Sequence, residues 1–197
     1  MNTLQKETWI KEMQHHQDVD SLVQGKWFEN GKGCFFGCAM QTDEDALEKA
    51  AEAMGLPFWI VGLAEAIFEN LEREEALKFP VEFLKAIPVD TDLEIVKHKI
   101  AVLRLSNLPH QCDEITDVIN LHKRVIEGEK VTEDEWSAAA RSARSASAWS
   151  ASARSAARSA AARSASYSAR SASASYSARS EFWKVERDNL IKTLKEL

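Results

Sequence analysis

The sequence predicts a mainly α-helical protein: a helical body with one small β-hairpin, followed by an Ala/Ser-rich, close-packed helical C-terminal module. Three observations predict it. Apolar residues recur at helical spacing along most of the first 130 residues; Asn30-Gly31 between aromatic-rich runs is a strong hairpin signal; and Trp136 to Ser180 is almost entirely alanine and serine. The chain therefore divides into an acidic body, 1–130, and an Ala/Ser/Arg-rich module, 131–197, ending in an amphipathic helix.

Residues 4–23 read as the first helix, with Leu4, Trp9, Ile10, Met13, Val19, Leu22 and Val23 as its apolar set. A type I′ turn needs positive φ at both central positions, which Asn-Gly supplies, so a hairpin is expected near 26–37. Thr42 with Asp45 suits a capping box for a helix over 43–54 stopped by Gly55. Pro57 suits the first turn of a central helix from Phe58 to Leu71. Pro80 should open a short helix that Pro88 ends, and further helices are expected over 92–105 and from Ile115 to Val125, the latter closed by Gly128. Thr132-Glu133-Asp134-Glu135 is a better capping box and opens the Ala/Ser tract.

One helix over 132–197 would be about 99 Å long, several times the size of the body. The tract should therefore either break into shorter helices or run long within a homo-oligomer. The serines of 171–175 are the weakest helix formers and the expected break. On a helical projection, small residues from Ala139 to Ala178 form one stripe, a seam that lets axes approach closely. The motif Ser164–Ser171 recurs at Ser173–Ser180, carrying Tyr167-x-x-Arg170 and Tyr176-x-x-Arg179. The last stretch, with Phe182, Trp183, Val185, Leu190, Ile191, Leu194 and Leu197, should dock on the body.

Charge is segregated along the chain. Residues 1–135 hold 14 basic against 27 acidic side chains, whereas 136–197 hold 11 against 4, within a net charge of −6. Internal electrostatic docking and a basic face for an anionic partner both account for this. The acidic runs at 43–45 and 72–75 read as solvated helix faces. Three cysteines and no apolar leader or spanning run point to a reducing cytoplasm and no membrane.

Chemistry-bearing motifs are sparse. Gly31-Lys32-Gly33-Cys34-Phe35-Phe36-Gly37-Cys38 could cradle an anion with Lys32, but it matches neither the Walker pattern nor the dinucleotide fingerprint. Cys34 and Cys38 lack further ligands at zinc-module spacing, since His15-His16 and His110 with Cys112 are the only candidates, so no metal is expected. No paired carboxylates or catalytic triad stand out; neither an enzyme nor a cofactor is expected. Arg163, Tyr167, Arg170, Tyr176 and Arg179, with Lys32, are the candidate ligand-binding residues: guanidinium forks for phosphate beside a stacking plane. Alternatively these arginines pair with the carboxylates of the body. The negative total charge argues against nucleic acid as partner.

Trp27-Phe28-Glu29-Asn30-Gly31-Lys32-Gly33-Cys34 running on to Gly37-Cys38, Phe79-Pro80-Val81-Glu82-Phe83-Leu84-Lys85-Ala86-Ile87-Pro88, and the capped Ala/Ser/Tyr/Arg tract together resemble a family of uncharacterised bacteriophage and prophage proteins. The resemblance implies an accessory phage protein in the cytoplasm of the bacterial host. It supplies no site residue. The expected function is non-enzymatic capture of an anionic ligand such as a defence signalling nucleotide; the alternatives are inhibition of a host defence protein, or a structural phage role.

Overall fold

The structure, a computed structural model, describes residues 1–42, 44–108, 111–142 and 168–197, and only the backbone of 168–179. Among the described residues it is mainly helical, with a single small two-stranded antiparallel hairpin. The elements are α1 (Thr3–Asp18), β1 (Phe28–Glu29), β2 (Lys32–Gly33), α2 (Phe35–Met40), α3 (Ala46–Met54), α4 (Phe58–Asn70), α5 (Arg73–Ala86), α6 (Glu94–Ser106), α7 (Asp113–Ile126), α8 (described over 133–142) and α9 (Ser168–Lys195). Two compact units result: Met1–Glu94 with Ser177–Leu197, and Ile95–Tyr176.

The first unit is organised by phenylalanine. Phe35, Phe36, Phe68, Phe79 and Phe83 are wholly buried. Phe35 stacks on Phe36 at 4.0 Å between centroids and meets Phe83 nearly edge-on at 6.0 Å. Each buried ring contributes about 1.5–3 kcal/mol of transfer free energy, so this cluster fixes how α2, α4 and α5 pack. Side chains also close the helix ends. The Lys6 ammonium donates to the carbonyls of Lys85 and Ile87 at the end of α5, and the Gln24 amide donates to those of Phe68 and Leu71 at the end of α4.

Several sequence expectations are corrected here. The first helix stops at Asp18, because Asp20 takes a left-handed φ of 51° and residues 21–23 then run beside the hairpin, with Leu22 bridging Gly33. Leu4 is 74% exposed, so it belongs to no core. Thr42 does not cap α3: its hydroxyl accepts from the Glu44 amide, and left-handed Asp45 leads into the helix. Pro80 does not open a helix. It lies buried within α5, where the lost N–H costs about 3 kcal/mol, a cost offset by burying it in line with Phe79 and Phe83. The serines of 171–175 do not break the chain, for α9 runs through them without interruption. Alternating alanines and the well-anchored helix downstream outweigh their weak propensity.

The end of α9 does dock, with part of the expected face. Leu190 and Leu194 are buried, whereas Phe182, Val185 and Leu197 remain 51%, 41% and 41% exposed. The run at 72–75 is solvated at Glu72, Arg73 and Glu74, as expected, but it also serves as a docking strip. Glu75 meets Arg187 at 3.1 Å and Lys184 at 3.5 Å, and Glu72 accepts from the Ser180 hydroxyl.

In the second unit, α6 buries Val96 and Ile100, while α7 buries Ile119. Polar links supplement this thin apolar packing. The Thr132–Glu135 capping box forms in both directions, and Arg124 reaches Glu135 at 2.7 Å and Glu129 at 2.8 Å.

Candidate functional site

The hairpin brings one cysteine against two carboxylates. Asn30 and Gly31 adopt φ of 52° and 78°, turning the chain so that Phe28 pairs with Gly33 and Glu29 with Lys32. Gly33 and Gly37 then lie flat against the backbone of Trp27: a Cβ on either would stand 1.8 Å from the Trp27 carbonyl oxygen. Both glycines are therefore required by close backbone approach, which the loop needs whether or not it meets a ligand. The Cys34 amide donates to the Lys26 and Trp27 carbonyls, holding the start of α2 under the hairpin.

Glu65 and Glu69, one turn apart on α4, face this junction. With Gly25, Lys26, Trp27 and Cys34 they line a pocket of about 240 Å³. Ligand atoms of Cys34, Glu65 and Glu69 all lie within 4.8 Å of one another. Glu65 is 6% exposed; one oxygen, Oε2, accepts from the Phe36 amide at 3.2 Å, while Oε1 has no hydrogen-bond partner. Glu69 is half-buried and accepts from the Gly25 amide at 2.7 Å.

Burial controls the protonation of this group. It pushes Glu65 up to about 7, against the downward pull of the Cys34 thiol and the Phe36 amide. Glu69 is raised by burial too. Burial and the Glu65 charge push the Cys34 thiol far above its ordinary range. Cys38 takes no part: its thiol donates to the carbonyls of Ser21 and Gly33, and burial raises it to about 11.

A second cluster joins α6, α7 and α8. His98 Nδ1 lies 2.9 Å from His122 Nδ1, and Trp136 covers the pair with its ring 4.8 Å from that of His122. Burial, then the neighbouring His98, lowers the His122 pKa. A larger groove of about 740 Å³ beside α9 is lined by Glu82, Lys85, Arg187, Asp188, Ile191, Lys192, Lys195 and Glu196. Its charges are of both signs and mostly solvated, so it presents no single chemistry to a ligand.

Of the residues expected to bind ligand, Arg163 and Tyr167 lie outside the described residues. Arg170, Tyr176 and Arg179 lie on the described backbone of α9. Lys32 is exposed on β2 and does not line the pocket, where Lys26 stands instead. The expectation that no carboxylates pair is corrected by Glu65 and Glu69. Their signal was available: a glutamate inside a helix apolar on nearly every face, with another four residues on. The partner thiol was not, because Cys34 reaches them only through the fold. No helix among the described residues is long and apolar enough to cross a membrane. No family model, no curated protein and no solved structure matches the chain.

Proposed function

We propose that this is a non-enzymatic binding protein of a bacteriophage or prophage, acting in the host cytoplasm, with a pocket on its acidic body that receives a cationic centre. The observation that carries the reading is the Glu65 carboxyl, buried yet with Oε1 unpartnered, which lines a pocket together with Trp27 and Glu69. An unsatisfied buried polar atom costs about 1–3 kcal/mol, and a cation seated between Glu65 and Glu69 offsets that cost. The protonated, buried Cys34 thiol is a poor nucleophile, which supports binding over covalent catalysis. The phage setting is supported by the sequence resemblance.

Charge segregation favours a second reading alongside it. Lys184 and Arg187 are engaged by Glu72 and Glu75, and seven arginines lie between Trp136 and Ser180, a stretch of sequence that contains no Asp or Glu. Arg163, Tyr167, Arg170, Tyr176 and Arg179 would there capture an anionic ligand, a host signalling nucleotide or an acidic face of a host protein, across a small-residue seam that suits a homo-oligomer. Calorimetry with methylguanidinium tests the pocket: binding should be lost in Glu65→Gln, and equal heats in both proteins would refute it. Titration with nucleotides tests the tract, where Arg170→Ala should weaken binding about ten- to a hundred-fold.

A further inference from the structure

We propose that Cys34, Glu65 and Glu69 form a binding site for a single divalent zinc-like ion, leaving one coordination position open to the pocket beside Trp27. The inference rests on the cation-pocket reading and names its occupant. At zinc bond lengths a tetrahedral ion holds thiolate and carboxylate atoms about 3.4–3.6 Å apart. The three donor atoms already lie within 4.8 Å of one another, so closure needs shifts on the order of an ångström. Half-buried Glu69, held by the Gly25 amide, is the least buried of the three and supplies them.

The donor set is specific. One thiolate with two carboxylates selects zinc over magnesium or calcium, which take oxygen ligands alone. Three protein donors match the number found where a fourth position is kept for water or a ligand. The unpartnered Oε1 of Glu65 is a donor atom with no other occupation, and the second oxygen is held by the Phe36 amide, which fixes the carboxylate plane as an outer-shell partner does for a metal ligand. Deprotonated, the trio carries three negative charges; the ion neutralises two, and Lys26, paired with Glu29 at 3.0 Å, also lines the pocket. Cys34 and Glu65 release their protons as the ion enters, so affinity should rise with pH.

The test is titration of the full-length chain with zinc against a chromophoric chelator, with cobalt as a spectroscopic probe. One ion should bind per chain, and cobalt should show a thiolate charge-transfer band. Cys34→Ser should abolish the band. Glu65→Gln and Glu69→Gln should each weaken zinc by at least the roughly ten- to hundred-fold that loss of an outer-shell partner costs. Cys112→Ser, which removes an exposed thiol, should change neither. Zinc binding equal in wild type and Cys34→Ser, with both folded by circular dichroism, overturns the proposal, as does a cobalt complex without the band. If methylguanidinium binds and is lost in Glu65→Gln while zinc does not bind, the metal assignment fails and the cation pocket stands. If neither binds, both fail.

Discussion

The two compact units both shield ionisable side chains from water, Glu65 fully in the first and His98 and His122 by half in the second, but they hold them by different means. In the first, Glu65 and Cys34 are placed by close packing: five buried phenylalanines, two glycines pressed on the Trp27 carbonyl, and side chains closing the ends of α4 and α5. In the second, the described residues around His98 and His122 include three buried apolar side chains, Val96, Ile100 and Ile119, and polar links join the helices beside them. A packed frame can hold a carboxyl in an unfavourable protonation state, because moving it would break many contacts. A pair of facing histidines depends in addition on the single proton that their own hydrogen bond requires. Both units should therefore respond to changes of proton, with opposite sign, but the first should respond sharply to changes of shape as well.

The sharpest way to break this contrast is a single methyl group. Gly37→Ala places a Cβ against the Trp27 carbonyl, a backbone atom that cannot move aside alone, so the loss should be about 3 kcal/mol or more. Gly62→Ala, on α4 with nothing within 4 Å of its added Cβ, should instead stabilise by about 0.5–1 kcal/mol through helix propensity. Denaturant unfolding of the two variants decides the matter. Similar small effects would show that the hairpin is not tightly packed on α2.

Glu65 gives the next largest effect. Its folded pKa of about 7 lies above the ordinary 4.5, so between these values the folded protein holds a proton that the unfolded chain has lost. Stability in the ion-free protein should fall as pH rises through this window and then level off, by about 3 kcal/mol in all. Glu65→Gln should flatten that slope and be the more stable protein at pH 8. An unchanged slope in the variant would mean that another group titrates.

For the histidine pair the sign is opposite. One Nδ1 must donate and the other accept, so the contact tolerates only one proton between the facing nitrogens. His122 has a folded pKa below 6.5, so the unfolded chain takes up protons first and stability should fall as pH drops below that value. Amide exchange along α6 and α7 should quicken there, ahead of exchange in α4. Equal protection at both pH values would place the pair in the scaffold, not in a switch.

How far the sequence foretold this pattern depends on how local the cause is. The Asn30-Gly31 turn, the stop at Gly55 and the Thr132–Glu135 box are set by neighbouring residues, and they were legible. Pro80 was misread because local propensity says helix start, whereas burial between Phe79 and Val81 keeps it inside α5. The fate of the acidic run at 72–75 depended on Lys184 and Arg187, more than a hundred positions away. The pocket was illegible for the same reason: Cys34 and Glu65 are distant in sequence, and only the packing of α2 on α4 joins them. Unit boundaries at Glu94 and Ser177 leave no mark in composition.

The smallest effect concerns a link local enough to be read in advance. The Thr132 hydroxyl accepts from the Glu135 amide at 3.3 Å, and the Glu135 carboxylate accepts from the Thr132 amide at 2.8 Å while meeting Arg124. The Thr132 amide, then the Arg124 guanidinium, hold the Glu135 carboxyl down at about 2, so this corner stays intact far below the pH at which His98 and His122 part. Thr132→Ala removes one cap bond and should cost about 1 kcal/mol, within the usual range of about 0.5–2. The loss should be the same at pH 5 and pH 8, because no proton is exchanged. A loss that grows on acidification would tie the cap to the histidines and show that the second unit responds as one body. A constant loss keeps the two devices separate: a proton-sensitive contact between α6 and α7, and a proton-insensitive clasp at the start of α8.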